Sequence, residues 1–302
     1  MPFQFTNNNL STLIDASSRL NIVDDLKDAL LTVGWTIVTT AAGDHTLLSG
    51  LTPHGLQCRV RIYDPGSGVT ARVKFLNSTG SLSSNDLFLQ HSLKAPISEL
   101  RVLANPYQFF VYYEGGIGLL NKSFICGGVP ALYSFDVGII TEAVWCHGDA
   151  TSDGDTTLRQ TFKIRPNAYR NPSSWMLCNG NHWQGSTDSA QGNLAIAAEL
   201  PGSSTPAGPP GANPTLYYSG ESYKVVPDLA WGLTQASDFA YIRGMLWDAA
   251  FALDWFPQDA LTTFDDHNWR NIMQVWTTLN PNPRETGDQG SPTLCSLWIV
   301  EP

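Results

Sequence analysis

QCRVRIYDPGSGVTARVKF, residues 57–75, alternates in character on both sides of a turn. Cys58, Val60 and Ile62 fall on one side of the first arm, and Gln57, Arg59 and Arg61 fall on the other. That period of two marks a half-buried strand. Asp64-Pro65-Gly66-Ser67-Gly68 supplies turn chemistry: a proline with fixed φ, glycines that accept positive φ, and an aspartate able to bond its own backbone. The return arm places Val69, Ala71, Val73 and Phe75 opposite in face to Thr70, Arg72 and Lys74. The stretch predicts an antiparallel hairpin with one oily and one cationic face.

Upstream, Ile22, Leu26, Ala29, Leu30 and Val33 recur at the spacing of one helical face. Asn21 is expected as the N-cap, Asp24 and Asp25 at the positive end of the dipole, and Gly34 as the stop. Residues 35–40 then read as extended, Ala42-Gly43-Asp44 as a turn and residues 46–49 as a strand, so the helix is expected to pack on an antiparallel meander. Downstream, 100–104 and 108–113 read as strands around an Asn105-Pro106 turn. Gly115-Gly116-Ile117-Gly118 lacks phosphate-loop spacing and reads as a turn.

A boundary is expected near residue 120. It divides the chain into a helix plus antiparallel β-sheet domain (1–120) and a loop-rich β domain (121–302). Strand-like pieces follow at 124–126, 137–146, 157–164, 174–178, 216–218, 269–277 and 294–300, the last placed to close a sheet. Residues 238–255 are ambiguous, because Leu246, Ala249, Ala250 and Leu253 have helical spacing while the aromatic density suits strands. PGSSTPAGPPGANP, residues 201–214, excludes helix and inner strand and reads as a surface loop or an arm on a neighbour. The expected class is α+β or mainly β.

The 302 residues are 42% hydrophobic, enough for a core, but only 15% charged where about 25% is usual. Such a surface, carrying aromatic and small polar side chains, suits protein contacts. Net charge is −10 with no basic run, which argues against nucleic acid, whose binding needs cations that displace counterions. MPFQFTNNN has no basic segment leading into an apolar one, and the apolar run near 129–140 is broken by Ser134 and Asp136. The expectation is synthesis in the cytoplasm, no membrane insertion, and export only as part of a particle. Five scattered cysteines (Cys58, Cys126, Cys146, Cys178 and Cys295) show no C-x-x-C spacing and read as free, buried thiols.

Candidate chemistry is thin. Cys146 and His147 are adjacent on an expected strand and so point to opposite faces, which spoils a nucleophile–base pair. Asp149, Asp153 and Asp155 lack the full calcium-loop pattern. Asp265-Asp266-His267 motivates a polysaccharide hydrolase, yet adjacent carboxylates do not face each other across a cleft. No catalytic, metal or cofactor residue is assigned.

Two non-catalytic groups stand out. Arg59, Arg61, Arg72 and Lys74 share the polar face of the hairpin, where like charges directly opposite repel. Either register offsets separate them in solvent, or an acidic neighbour, such as another copy, covers them. Of ten tryptophans, Trp183 and Trp269 are the candidates for glycan or partner contact, against the commoner fate of core packing.

LNIVDDLKDALLTVGWTIV (20–38), VRIYDPGSGVTARVKFLNS (60–78) and ELRVLANPYQFFVYYEGG (99–116) resemble virion structural proteins of long-tailed bacteriophages. YIRGMLWDA (241–249), FDDHNWRNI (264–272) and LCSLWIVEP (294–302) look like the closing strands of such proteins. The resemblance implies a non-enzymatic component of tail, baseplate or neck, present in multiple copies. Its partners would be other virion proteins and copies of itself, and its place the virion. A receptor- or glycan-binding module on the same particle is the alternative, and a hydrolase the second.

Overall fold

The computed structural model describes residues 5–6, 8–66, 71–80, 90–93, 97–115, 122–132, 137–148, 161–162, 174–178, 181–184, 193–196, 216–217, 224–226, 228–232, 241–252, 259–264, 266–277 and 293–301. Among them lie one helix, α1 (Arg19–Thr32), and strands running from β1 (Leu10–Leu13) through β2 (Thr36–Ala41), β3 (Asp44–Leu48), β4 (Cys58–Tyr63), β5 (Ala71–Asn77), β6 (Gln90–Leu93), β7 (Ile97–Ala104), β8 (Gln108–Gly115), β9 (Lys122–Gly128), β10 (Ala131–Leu132) and β11 (Ala143–Gly148). The later strands are β12 (Thr161–Phe162), β13 (Ser174–Cys178), β14 (Asn181–Gln184), β15 (Asn193–Ile196), β16 (Leu216–Tyr217), β17 (Lys224–Val226), β18 (Asp228–Gly232), β19 (Tyr241–Met245), β20 (Ala249–Ala252), β21 (Leu261–Phe264), β22 (His267–Thr277) and β23 (Thr293–Val300). The class is mainly β, with antiparallel sheets and a single described helix.

Residues 57–75 form the expected hairpin. Cys58 pairs with Asn77 and Tyr63 with Arg72, while Cys58, Val60, Ile62, Ala71, Val73 and Phe75 are all fully buried. The sheet order is β2-β3-β4-β5-β6. Its oily face meets α1 through Ile22, Val23, Leu26, Ala29 and Leu30. Residues 67–70, which include Val69 of the return arm, lie outside the described residues.

Two details of α1 differ from expectation. The N-cap is Ser18, whose hydroxyl accepts the Asn21 amide at 3.1 Å, so Asn21 stands inside the first turn. With the helix beginning at Arg19, no acidic side chain lies in that turn, and Asp24 and Asp25 sit beyond it. Asp24 instead reaches His45 Nε2 at 2.6 Å, and His45 Nδ1 meets Thr40 Oγ1 at 2.7 Å. A buried histidine thus ties helix to sheet. Gly34 ends the helix as expected, with φ +99°, which other residues rarely adopt.

A second sheet, β1-β7-β8-β9-β11-β13-β14, lies against the same core. Phe109, Phe110, Val111, Tyr112 and Tyr113 of β8 are all buried, which explains an apolar run without alternation: both faces of this strand are covered. Phe109 stacks on Phe75 at 5.3 Å and meets Trp35 edge-on at 5.8 Å, joining the two sheets. Gly127 permits the approach, because a Cβ there would fall 2.6 Å from the Phe75 ring and 2.5 Å from the Trp145 carbonyl. The boundary expected near residue 120 falls between β8 and β9, which pair from Gln108 opposite Gly128 to Glu114 opposite Lys122.

The remaining strands form the sheets β10-β19-β18-β15 and β12-β22-β23-β20-β17-β16, with β21 paired to β22. Among the described residues every strand pairing is antiparallel except β12 with β22. The ambiguity of residues 238–255 is resolved toward strands where they are described: β19 and β20 lie on either side of Asp248, whose φ is +53°. Leu246 and Ala249 are buried from opposite sides of this bend, so their spacing imitates a helical face. β23, the terminal strand, joins its sheet between β20 and β22. Residues 201–214 lie outside the described residues. Among those described, no helix is long and apolar enough to cross a membrane.

Candidate functional site

Alternation along β4 and β5 sends Arg59, Arg61, Arg72 and Lys74 to the face opposite α1, where each keeps part of its surface in solvent. Register decides their neighbours. Arg61 stands directly across from Lys74, Arg72 across from Tyr63, and Arg59 across from Leu76. Separation of the cations by register offset is therefore not found at Arg61 and Lys74.

Asp44 of β3 offsets that repulsion. Although paired with Tyr63, it reaches diagonally to Arg61, taking Nε at 2.9 Å and Nη2 at 2.6 Å in a two-pronged ion pair. Hydrogen bonding from Arg61 holds the Asp44 carboxyl below its ordinary range, and the same contact raises the guanidinium. Arg61 also lies 4.5 Å from the centre of the Tyr63 ring. Arg72 and Lys74 are engaged in contacts of their own. Arg59 differs in that, among the described residues, it meets no carboxylate; its Nε is buried without a hydrogen-bond partner there. The described part of this face thus carries four cations and one carboxylate on a chain of net charge −10.

The aromatic candidates fare differently. Trp269 is only 2% exposed, inside β22 with Phe5 edge-on at 6.2 Å. It has no open ring face for a sugar, and its expected role as a glycan or partner contact is corrected to packing. Trp183 lies on β14 opposite Met176. Its side chain lies outside the described residues, as does Asp265. Asp266 is exposed, with φ +59°, just before β22, whose His267 pairs with Phe264 of β21. His267 stacks on Phe5 at 3.7 Å. Of Asp265-Asp266-His267, the described pair is thus a turn residue and the first residue of β22. Cys146 is buried on β11, and Asp149, Asp153 and Asp155 lie outside the described residues. Cys58 is equally buried, which pushes its thiol up to about 12 and leaves it unreactive. Among the described residues no three potential metal ligands gather.

One perturbed group escaped sequence reasoning. Asp248 is buried at the β19–β20 bend and accepts the Thr6 amide at 2.7 Å and the Thr6 hydroxyl. Burial pushes its carboxyl up to about 6, against the opposing pull of those hydrogen bonds and of His267. Beside it, the Trp247 carbonyl accepts Asn105 Nδ2 at 3.2 Å and Gln108 Nε2 at 2.5 Å. With Asn9 donating to the Val300 carbonyl at 3.3 Å, Phe5, Thr6 and Asn9 are tied to β22, to the β19–β20 bend and to β23. Tyr107 and His267 lie near enough to feel its charge, and the hydrogen bonds from Thr6 fasten the N-terminal segment to the bend. Thr6 and Asp248 are 242 positions apart, and no local pattern announces their meeting.

No protein-family model matches the chain, and no curated protein matches it.

Proposed function

We propose that the chain is a non-enzymatic structural component of a tailed-bacteriophage virion, in the tail, baseplate or neck, assembling in multiple copies through protein–protein interfaces. The observation that carries the proposal is the cationic sheet face. A partly buried guanidinium that meets no carboxylate among the described residues, on an acidic chain with few charges, suits an acidic protein neighbour. The resemblance of residues 20–38, 60–78 and 99–116 to virion proteins supplies the setting. Its partners are copies of itself and other virion proteins, and its place is the particle. Nucleic acid is a poor partner for a chain of net charge −10.

Mass spectrometry of purified particles from the phage encoding this chain tests the proposal. Recovery in stoichiometric, multi-copy amounts after stringent washing is the expected result. Absence from the particle would end it.

A further inference from the structure

The short connection between β2 and β3 decides what stands beside Thr40. Ala41 pairs with Asp44 across it, and the next pair along the ladder is Thr40 with His45. In an antiparallel ladder the pair next to a bonded one exchanges no backbone hydrogen bonds and holds its side chains closest, on one face. Thr40 Oγ1 accordingly meets His45 Nδ1 at 2.7 Å, and His45 Nε2 meets Asp24 Oδ1 of α1 at 2.6 Å. Thr40 is exposed, the His45 side chain only 4% exposed and that of Asp24 46%. Lys27 Nζ is the other group at that carboxylate oxygen, at 3.8 Å. The carboxylate fixes the proton. An ionised carboxylate only accepts, so on the neutral ring the hydrogen sits at Nε2 and the lone pair at Nδ1, and Thr40 donates its hydroxyl proton to it. The tie between helix and sheet is made by the Asp24 bond; the Thr40 bond lies within one hairpin and does not join them.

We propose that Thr40 is a nucleophilic hydroxyl and an acylation site of the chain, with His45 as its general base and Asp24 as the group that orients the ring. A threonine hydroxyl is a weak nucleophile alone and is activated by an adjacent base that a third group orients. All three stand here within hydrogen-bond reach. Thr40 Oγ1 attacks the carbonyl carbon of an activated ester while its proton passes to His45 Nδ1. The bond from that carbon to the leaving oxygen then breaks, and the alcohol or phenol departs with the proton from His45. The acyl group stays esterified to Thr40. The Thr40 amide completes the site. As part of an unbonded pair it points away from β3, to the side of β2 where no described strand pairs, and is placed to donate to the oxyanion. β2 is exposed along all six residues, so a small ester reaches it. The site accepts one acyl group per chain, and it stands independently of the chain's place in a particle.

Incubation of the full folded chain with p-nitrophenyl acetate, followed by peptide mass spectrometry, tests the site. A single stoichiometric burst of p-nitrophenol with the acetyl group on Thr40 is expected. Thr40→Ser, which keeps the hydroxyl, is expected to react at the same position, and Thr40→Val to lose the burst. Both changes fall on an exposed side chain and are expected to leave the fold intact by circular dichroism. Asp24→Asn is expected to slow the burst about tenfold or more and to shift its pH profile. A neutral amide neither fixes the ring's tautomer nor stabilises the imidazolium formed as Thr40 gives up its proton. Wild-type chain unfolded in urea is expected to lose the selective labelling of Thr40. Acetyl groups on lysines alone, a burst that survives Thr40→Val, or a rate and pH profile that Asp24→Asn leaves unmoved in the folded chain would each overturn the proposal.

Discussion

Asp248 is the residue whose protonation the fold controls most plainly. Its folded carboxyl titrates near 6, above the 3.8 of an unperturbed aspartate. The folded state therefore takes up a proton before the unfolded state does. Stability from this group rises as pH falls from about 7 through 6 and levels off below the unfolded value. At about 1.4 kcal/mol per pH unit, the full swing is on the order of 2–3 kcal/mol. Asp248→Asn is expected to flatten thermal-melt midpoints between pH 7 and pH 4 and to match or exceed the native midpoint at pH 7. An unchanged pH slope would assign the effect elsewhere. A second single-residue outcome concerns close packing. Gly127→Ala would push a methyl against the Trp145 carbonyl and the Phe75 ring and should cost about 2 kcal/mol in chemical denaturation. Legibility at this scale follows sequence distance. The cations at Arg59, Arg61, Arg72 and Lys74 were readable from alternation, and the match of Arg61 to Asp44 depends on register, which alternation leaves open. Trp269 was misread because composition does not reveal whether another segment, here Phe5, crosses a ring.

Among elements, α1 offers a clean test of where a helix begins. Ser18→Ala should cost about 1 kcal/mol because it removes the hydroxyl that accepts the Asn21 amide. Asn21→Ala, whose side chain makes only exposed bonds to Asp15 and Ser17, should stay within about 0.5 kcal/mol. The reverse order in urea denaturation would restore Asn21 as the cap. Phe75→Ala should cost about 3–5 kcal/mol, since the ring is fully buried between two sheets and stacked on Phe109. Elements built from local pattern were readable: the 57–75 hairpin, the buried face of α1, the Gly34 stop and the strands around Asn105-Pro106. The last owes its shape to Asn105, whose Oδ1 accepts the amides of Tyr107 and Gln108 at 2.9 Å. Elements set by distant partners were not. Residues 241–252 scored as helix and strand alike, and only pairing with β18 and β23 makes them strands. The place of β23 between β20 and β22 was not readable for the same reason, since sheet order is not written in any one strand.

For the whole molecule, one hydrophobic cluster runs from Ile14 to Ile299 and takes in α1, the five-stranded sheet and the β7–β8–β9–β11 strands. Thr6 and Asn9 add further ties between the two ends of the sequence. A scaffold held together this way can present a rigid sheet on one side and a helix on the other. Rigid surfaces suit symmetric assembly because little order must be imposed on docking. A density map of the native phage particle, even at modest resolution, tests the central claim most directly. Symmetry-related copies in tail, baseplate or neck are expected, with the outer face of β4 and β5 covered by the neighbour. A map in which this fold occurs nowhere, or in which Arg59 and Arg61 face open solvent in every copy, would contradict it.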